Sequence, residues 1–175
     1  MDTLQAIKSR KSVRSYTGSI SDADLKEIIS AGIAAPVGMG KYDTVQLTVV
    51  KNKEFLHDLD RACAKMFGDE SRTPLYGAPV LVIVSTKLAE GDNNVAYSNC
   101  ACIVENMSLA AISKGLGACH IWGAIHALNI NPELLAKVKL PEGFTAVCGI
   151  VLGDTDDKLE VRDIDESRVK VVNFD

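Results

Sequence analysis

The chain of 175 residues is 47% hydrophobic and 24% charged, which is typical of a globular protein and not of a disordered one. That length fits one domain, residues 1–175, with a sizeable buried core. The formal net charge of -4 argues against a general nucleic-acid-binding protein, since members of that class are usually basic.

Two helices are predicted before the first strand. The first begins at Asp2–Thr3, where both residues are possible N-caps, and ends near Ser9 or Arg10. The second begins after the N-cap Ser21, carries apolar residues at helical spacing, and ends before Pro36.

The next part of the chain predicts a strand, a helix and a second strand. The stretch "TVQLTVVKN" alternates apolar and polar residues, as a half-buried strand does. The stretch "KEFLHDLDRACAKMFG" has its apolar residues at helical spacing. The run "PVLVIVST" is continuous and largely β-branched, which predicts a fully buried central strand.

The longest predicted helix runs from about Asp92 to Lys114. After Asp92 its only charged residues are Glu105 and Lys114, so it is apolar on most of its circumference. We expect such a helix to be buried, either in a core or by another subunit. The remaining predicted elements are a strand at "ACHIW", a helix at "NPELLAKVKL", a second buried strand at "TAVCGIVLG" and a possible edge strand at "VKVVNFD".

A basic segment, "IKSRKSVRSY", lies near the start of this acidic chain, and no acidic residue occurs between Asp2 and Asp22. If the segment is extended, Arg10, Ser12 and Arg14 lie on one face, because alternate side chains of an extended chain point the same way. Guanidinium forks match phosphate oxygens, and a hydroxyl adds a neutral donor. The pattern therefore suggests a cradle for a phosphomonoester, with a solvated basic surface as the alternative that spacing alone leaves open.

The five cysteines, at positions 63, 100, 102, 119 and 148, form neither a disulfide framework nor a metal motif. On a helix Cys100 and Cys102 point about 200° apart, so a metal site that combines them with Cys119 and His120 is disfavoured. The start of the chain has no apolar signal-peptide core, and no apolar run reaches the roughly 18–20 residues of a membrane span. We expect a cytoplasmic protein with free thiols, no metal and no membrane contact.

Several stretches resemble the FMN-dependent nitroreductase family when they are taken in order. They are "RKSVRSY", "AGIAAPVGMGKYDTVQLTVV", "GAPVLVIVS", "VENMSLAAISKGLGACHIWG" and "GIVLGD", followed by Arg162. The resemblance covers about residues 4–172. It implies an α+β fold with a central, mostly antiparallel sheet flanked by helices, in an intertwined homodimer whose two FMN sites lie between the subunits.

The resemblance also assigns roles to the basic segment. Arg10 and Ser12 would hold the FMN phosphate, and Lys11 would contribute mainly through its backbone. Arg14 would approach the pyrimidine edge of the flavin, where a positive group stabilises the charge of the reduced ring. Arg162 would return to the phosphate from the acidic end of the chain, although a surface ion pair is the alternative for this residue.

Two further stretches would border the flavin ring. One is "PVGMG", where Gly40 stands in place of the Asn that the family commonly has. The other is "IWG", from which a backbone N–H would reach flavin N5. Plain packing remains an alternative for Trp122, and His120 is expected to be structural more often than catalytic. The residues of these two stretches are Pro36, Val37, Gly38, Met39, Gly40, Ile121, Trp122 and Gly123.

The resemblance implies that flavin N5 carries the chemistry and that no side chain is catalytic. NADH or NADPH would donate hydride and leave, and a nitroaromatic, quinone or similar electrophile would then accept it in ping-pong fashion. The alternative is a flavin-binding protein for storage or sensing, without efficient turnover. Few residues separate Met66 from Pro79, which leaves little room for a lid and predicts an open site.

Overall fold

A four-stranded antiparallel sheet organises the chain, as shown by a computed structural model that describes residues 1–174. Its strands are β1 (Val45–Val50), β2 (Val80–Lys87), β3 (Gly117–Ile121) and β4 (Phe144–Gly153). Their spatial order is β1-β2-β4-β3, and every neighbouring pair is antiparallel. The two central strands, β2 and β4, are the two that the sequence predicts to be buried.

Helices cover both faces of this sheet, which confirms the predicted α+β fold. Within residues 1–174 the α-helices are α1 (Thr3–Ser9), α2 (Asp22–Ile33), α3 (Lys53–Met66), α4 (Asn94–Ser113), α5 (Gly123–Asn129) and α6 (Pro132–Val138). Short 3-10 turns lie at Gly38–Gly40, Tyr42–Thr44 and Glu166–Arg168.

The predicted helix starts are confirmed because polar side chains satisfy the first free backbone N–H groups. The Ser21 hydroxyl accepts a hydrogen bond from the Asp24 backbone N–H at 3.0 Å. The Asp2 carboxylate accepts from the Gln5 N–H at 2.8 Å, and the Gln5 side chain accepts from the Asp2 N–H in return. Asn131 caps α6 in the same way.

The side chains of β2 alternate between two apolar clusters on opposite faces of the sheet. Leu81 and Ile83 pack with residues of α3, α5 and α6. Val82 and Val84 pack with residues of α2 and α4. All four of these side chains are fully buried, and this two-sided burial explains the continuous apolar run in the sequence.

Helix α4 is buried on one side only. Cys100 and Met107 are fully buried in the cluster with α2, whereas Val95 is 61% exposed and Tyr97 is 48% exposed near the start of the helix. By length and composition α4 could cross a membrane, a test that core helices of soluble proteins also pass. The expected core position is therefore confirmed, but the N-terminal half leaves the apolar side chains of Val95 and Tyr97 exposed.

Two parts of the chain differ from expectation. Helix α5 was not predicted, because it is short and its N-cap position, Trp122, makes no side-chain capping hydrogen bond. The predicted edge strand "VKVVNFD" is wrong for residues 169–174, and Asp175 lies outside the described residues. No backbone hydrogen bond joins residues 169–174 to another described segment, so these residues lack the partner that a strand requires.

Candidate functional site

The basic segment is extended after the end of α1 and lies beside β3. The backbone N–H of Val13 donates to the Ala118 carbonyl at 2.9 Å, which fixes the segment beside β3. The Val13 side chain is fully buried. Because neighbouring side chains of an extended segment alternate in direction, Ser12 and Arg14 point away from that core position.

Arg10, Ser12 and Arg14 converge on the thiol of Cys119 in β3. The Ser12 hydroxyl and the two guanidinium groups lie near enough to this thiol to stabilise its charged form. Burial is the stronger influence, and it raises the pKa of the Cys119 thiol above the ordinary range. Three side chains that act on one sulfur atom therefore lie together beside the middle of β3.

One acidic residue also lies in this group. Glu105 on α4 places one carboxylate oxygen 3.5 Å from Arg10 Nε and the other 3.2 Å from His120 Nε2. Sequence reasoning gave Glu105 no role, although a single carboxylate in the middle of an apolar helix was a usable signal. His120 therefore has a carboxylate partner in Glu105, as expected for a histidine with a structural role.

The acidic end of the chain returns to the same place. Lys11 Nζ forms an ion pair with Asp157 at 3.0 Å. Arg162 Nε donates to the Lys8 carbonyl at 3.0 Å, and a terminal nitrogen of Arg162 donates to the Arg10 carbonyl. A cation there satisfies free carbonyls at the end of α1. Among residues 1–174 no carboxylate forms an ion pair with Arg162, so the structure gives no support to the surface ion-pair alternative.

The side chain of Arg14 also contacts a neighbouring tyrosine, Tyr76. Its guanidinium carbon lies 5.8 Å from the centre of the Tyr76 ring. A hydrogen bond to Tyr76 raises the pKa of Arg14, so the guanidinium stays charged. Tyr76 has φ of 57°, a left-handed conformation that is uncommon outside glycine and asparagine. Sequence reasoning missed Tyr76, because no pattern links it to the basic segment.

An open cavity of about 500 Å³ lies beside Trp122 and Gly123. The Trp122 side chain is 69% exposed, and its ring stacks on His126 with centroids 5.7 Å apart. Ile121, by contrast, is buried in the core. The cavity is lined by Phe67, Arg72, Thr73, Pro74, Tyr76, His120, Ile121, Trp122, Gly123 and Ala124.

The loop Pro36–Gly40 lies elsewhere, on the N-terminal half of α4. The backbone N–H of Gly38 donates to the Asn99 side chain at 3.0 Å. Met39 is 83% exposed with φ of 57°, and Gly40 has φ of 65°. Glycine and asparagine are the residues that best tolerate this left-handed region, so the backbone at position 40 suits either residue type. Val37 is buried against α4.

The loop Pro36–Gly40 and the stretch Ile121–Gly123 are both predicted to contact the flavin ring, but within a single chain they lie at different places. Asn99, which holds the loop, precedes Glu105, which holds Arg10, by six residues, or about 9 Å along α4 and about 120° around it. The cavity beside Trp122 includes no residue of Pro36–Gly40. The structure brings together Arg10, Lys11, Ser12, Arg14 and Arg162, and it leaves the loop on another part of α4.

The α+β fold and the group of cationic side chains are typical of a protein that binds a small anion. Comparison with known proteins identifies its family. The family model described as "Nitroreductase family" matches residues 7–154. The chain belongs to this family, which confirms the resemblance inferred from the sequence.

Two solved structures and one curated protein are similar over almost the whole chain. A nitroreductase with bound FMN from Bacteroides fragilis is 30% identical, with a TM-score of 0.82, and 99% of this chain and 100% of that chain are covered. Another with bound FMN, from Desulfitobacterium hafniense, is 26% identical, with a TM-score of 0.83 and the same coverage. A protein of Methanothermobacter thermautotrophicus, assigned as an NADH dehydrogenase/NAD(P)H nitroreductase, is 27% identical over 167 residues, which are 94% of this chain and 83% of that protein.

The side chains around Cys119 suit a phosphate group. Among the described residues, Arg14 has no carboxylate partner, and Arg10 has only the long contact with Glu105. Two guanidinium groups and a hydroxyl supply charged and neutral donors, which is what a phosphate dianion requires. Residues 1–174 contain no group of three or more His, Cys, Asp or Glu side chains that could hold a metal ion.

Proposed function

We propose that this chain is an FMN-dependent NAD(P)H oxidoreductase that reduces nitroaromatic, quinone or similar electrophilic acceptors. The observation that carries the proposal is the convergence of Arg10, Ser12 and Arg14 around Cys119, in the middle of β3, within the fold of the nitroreductase family. The relatives with bound FMN, and the one assigned as an NAD(P)H nitroreductase, support the choice of cofactor and electron donor.

Each residue of the group has a role in this proposal. Arg10 and Ser12 bind the phosphate of FMN, and Lys11 contributes its backbone while its side chain is paired with Asp157. Arg162 holds the carbonyl groups of Lys8 and Arg10, and so positions the segment that carries the phosphate donors.

The ring would lie between the basic segment and the start of α5. Arg14, held charged beside Tyr76, places a positive group at the pyrimidine edge. Ile121, Trp122 and Gly123 form a wall beside the ring. When bound, FMN supplies the hydride transfer, so that a nitroaromatic, one NAD(P)H and one proton give a nitroso product, NAD(P)+ and water.

We also propose that the functional unit is a homodimer, located in the cytoplasm, in which the partner supplies the loop Pro36–Gly40 to each site. The uncovered apolar side chains support a dimer: Val95 and Tyr97 on α4, Leu4 on α1, and Val171 and Phe174 in the tail are all exposed. An interface between subunits would bury large apolar side chains of this kind.

Anaerobic spectroscopy tests this function. Purified protein, loaded with FMN, should show the two visible bands of oxidised flavin, and NADH or NADPH should bleach them. Addition of a nitroaromatic or a quinone should restore the bands. Protein that fails to bind FMN contradicts the proposal, and bound flavin that neither nucleotide reduces supports the storage or sensing alternative.

A further inference from the structure

The cavity beside Trp122 has an unusual distribution of charge. Its lining includes Arg72 and His120 but no acidic residue. A second cavity of about 710 Å³, between α3 and α6, differs because its three basic side chains are balanced by Asp58, Glu70 and Glu133. The lining of the first cavity therefore has one permanent positive charge, that of Arg72, and no carboxylate of its own, although Asp69 lies behind Arg72 and Glu105 behind His120.

Arg72 is held in place by two contacts, which leave its two terminal nitrogens without a hydrogen bond to the described residues. Its Nε donates to the Asp69 carboxylate at 3.1 Å, and its guanidinium carbon lies 5.4 Å from the centre of the Phe67 ring. The Asp69 carboxylate is also bonded to Ser71, and these two contacts lower the pKa of Asp69. The two terminal nitrogens of Arg72 have no protein partner among residues 1–174, so they remain available to an anion in the cavity.

Aromatic rings form much of the rest of the lining. Phe67, Tyr76 and Trp122 come from two separate segments and border the same space. Trp122 is fixed by its stacking on His126, with only 2° between the ring planes. A site with flat apolar walls and one free guanidinium suits a planar aromatic ring that carries an anionic substituent.

The cavity also adjoins the place predicted for the flavin. Ile121, Trp122 and Gly123 belong both to its lining and to the predicted ring contacts. Tyr76 lies between the cavity and Arg14, which it contacts. An acceptor in this cavity would thus be next to the group that supplies its electrons.

We propose that this cavity is the acceptor site and that Arg72 selects aromatic electrophiles that carry a carboxylate group. The inference rests on the proposed function and adds the chemical class of the acceptor. Nitrobenzoate-like compounds would bind with the ring between the aromatic walls and the carboxylate on the terminal nitrogens of Arg72. Asp69 orients the guanidinium through Nε and weakens its attraction for the anion without cancelling it.

Two matched pairs of compounds test the proposal on FMN-loaded protein. Benzoate and benzamide have nearly the same shape and are not reduced, so calorimetric titration compares their binding without catalysis. 4-Nitrobenzoate and 4-nitrobenzamide give the corresponding ratio of kcat/KM values. In Arg72→Ala we expect both acid-to-amide preferences to fall about fivefold to tenfold, a range typical of a charge-assisted contact at a partly exposed site.

Arg61→Ala is the matched control, since it removes an arginine that lines the second cavity. It should keep the acid-to-amide ratios of the unaltered protein. Comparison of ratios also cancels the different intrinsic reducibility of the two nitro compounds. Equal ratios in Arg72→Ala and the unaltered protein would overturn the proposal.

Two further results separate failure of this inference from failure of the proposed function. Protein that reduces both nitro compounds without any effect of Arg72 would retain the function and lose the acceptor class. A change in the KM for NADPH, but not in the ratios for the two nitro compounds, would assign Arg72 to the donor's phosphate and also overturn the proposal. Absence of all NAD(P)H-dependent reduction, with benzoate still bound through Arg72, would contradict the function while keeping the anion site.

Discussion

The basic segment at residues 10–14 and the loop Pro36–Gly40 are both predicted to touch flavin, yet the fold holds them in different ways. The segment is tied to β3 and to Arg162, so one chain alone brings its phosphate donors together. The loop is tied to Asn99 on another part of α4. In the proposed homodimer, folding of one chain would assemble the phosphate donors, and association of two chains would add the loop.

The largest expected effect comes from breaking the part that one chain assembles. Arg10→Ala should weaken FMN binding about tenfold to a hundredfold, because a hydrogen bond to a charged group contributes about 1.5–3 kcal/mol. Riboflavin lacks the phosphate, so its affinity should change little. Titration of the apoprotein with both flavins, followed by flavin fluorescence, measures the difference.

Arg168→Ala, in the exposed tail, is the control for Arg10→Ala. It removes the same charge from the chain at an exposed position in the 3-10 turn Glu166–Arg168. An equal loss of FMN and riboflavin affinity in Arg10→Ala would show that Arg10 supports the fold instead of binding phosphate.

A mixed dimer tests whether the loop acts on the partner's flavin. A Cβ atom at Gly38 would lie 2.7 Å from Val95 Cγ1, so Gly38→Val should displace the loop and weaken flavin binding. Each dimer formed from one Arg10→Ala chain and one Gly38→Val chain should regain one unaltered site, because both changes fall in the other site. Random mixing should restore about a quarter of all sites, measured as tightly bound FMN.

The homodimers of each variant provide the baseline for that mixture. If mixing restores no binding, each flavin site takes its segment and its loop from the same chain. That result would contradict the proposed exchange between subunits, but it would leave the phosphate donors of the basic segment in place.

Alkaline stability compares the thiol of Cys119, beside the basic segment, with the thiols of Cys100 and Cys148 in the apolar cluster that includes α4. Burial raises the pKa of Cys148 to about 12 and that of Cys100 to about 11, above the ordinary value of about 8.5. As pH rises from about 8.5 to about 11, the unfolded chain loses thiol protons that the folded chain retains, so the folded state loses stability. Below that range these thiols have no effect on the pH dependence.

At Cys119 the nearby guanidinium groups oppose the effect of burial. Cys148→Ala should therefore flatten the alkaline loss of unfolding free energy more than Cys119→Ala does, by on the order of 1 kcal/mol. Urea unfolding at a series of pH values measures the slopes. A greater flattening in Cys119→Ala would contradict the electrostatic contrast between the two regions.

The smallest effect concerns the support of the loop. The Asn106 side chain donates to the Ala31 carbonyl at 3.1 Å and so links α4 to the end of α2. Asn106→Ala should cost about 1 kcal/mol and lower Tm by about 2–4 °C. Asn94→Ala, at the exposed start of α4, should leave Tm within error, and an equal fall in both variants would remove the special role of Asn106.

The sequence predicted elements whose cause is local. The cap at Ser21 and the β-branched run of β2 depend on neighbouring residues, and both were confirmed. The tail at residues 169–174 failed because alternating apolar residues do not reveal whether a partner strand exists.

The candidate site shows the same limit. Its basic segment is contiguous and was recognised, whereas Arg72 and Tyr76 were missed. These two residues reach the space beside Trp122 only because α3 packs against α5, with the Phe67 ring within 3.1 Å of the position of a Cβ at Gly123. Such proximity depends on tertiary packing, which no local pattern encodes.

The exposed indole of Trp122 has a practical consequence, since it is the sole tryptophan in the chain. Its ultraviolet emission originates at one known position, between the expected ring and the cavity. Energy transfer to an isoalloxazine, or quenching by a nitro compound, would therefore register each occupant in turn, so this molecule carries an intrinsic optical probe and requires no attached dye.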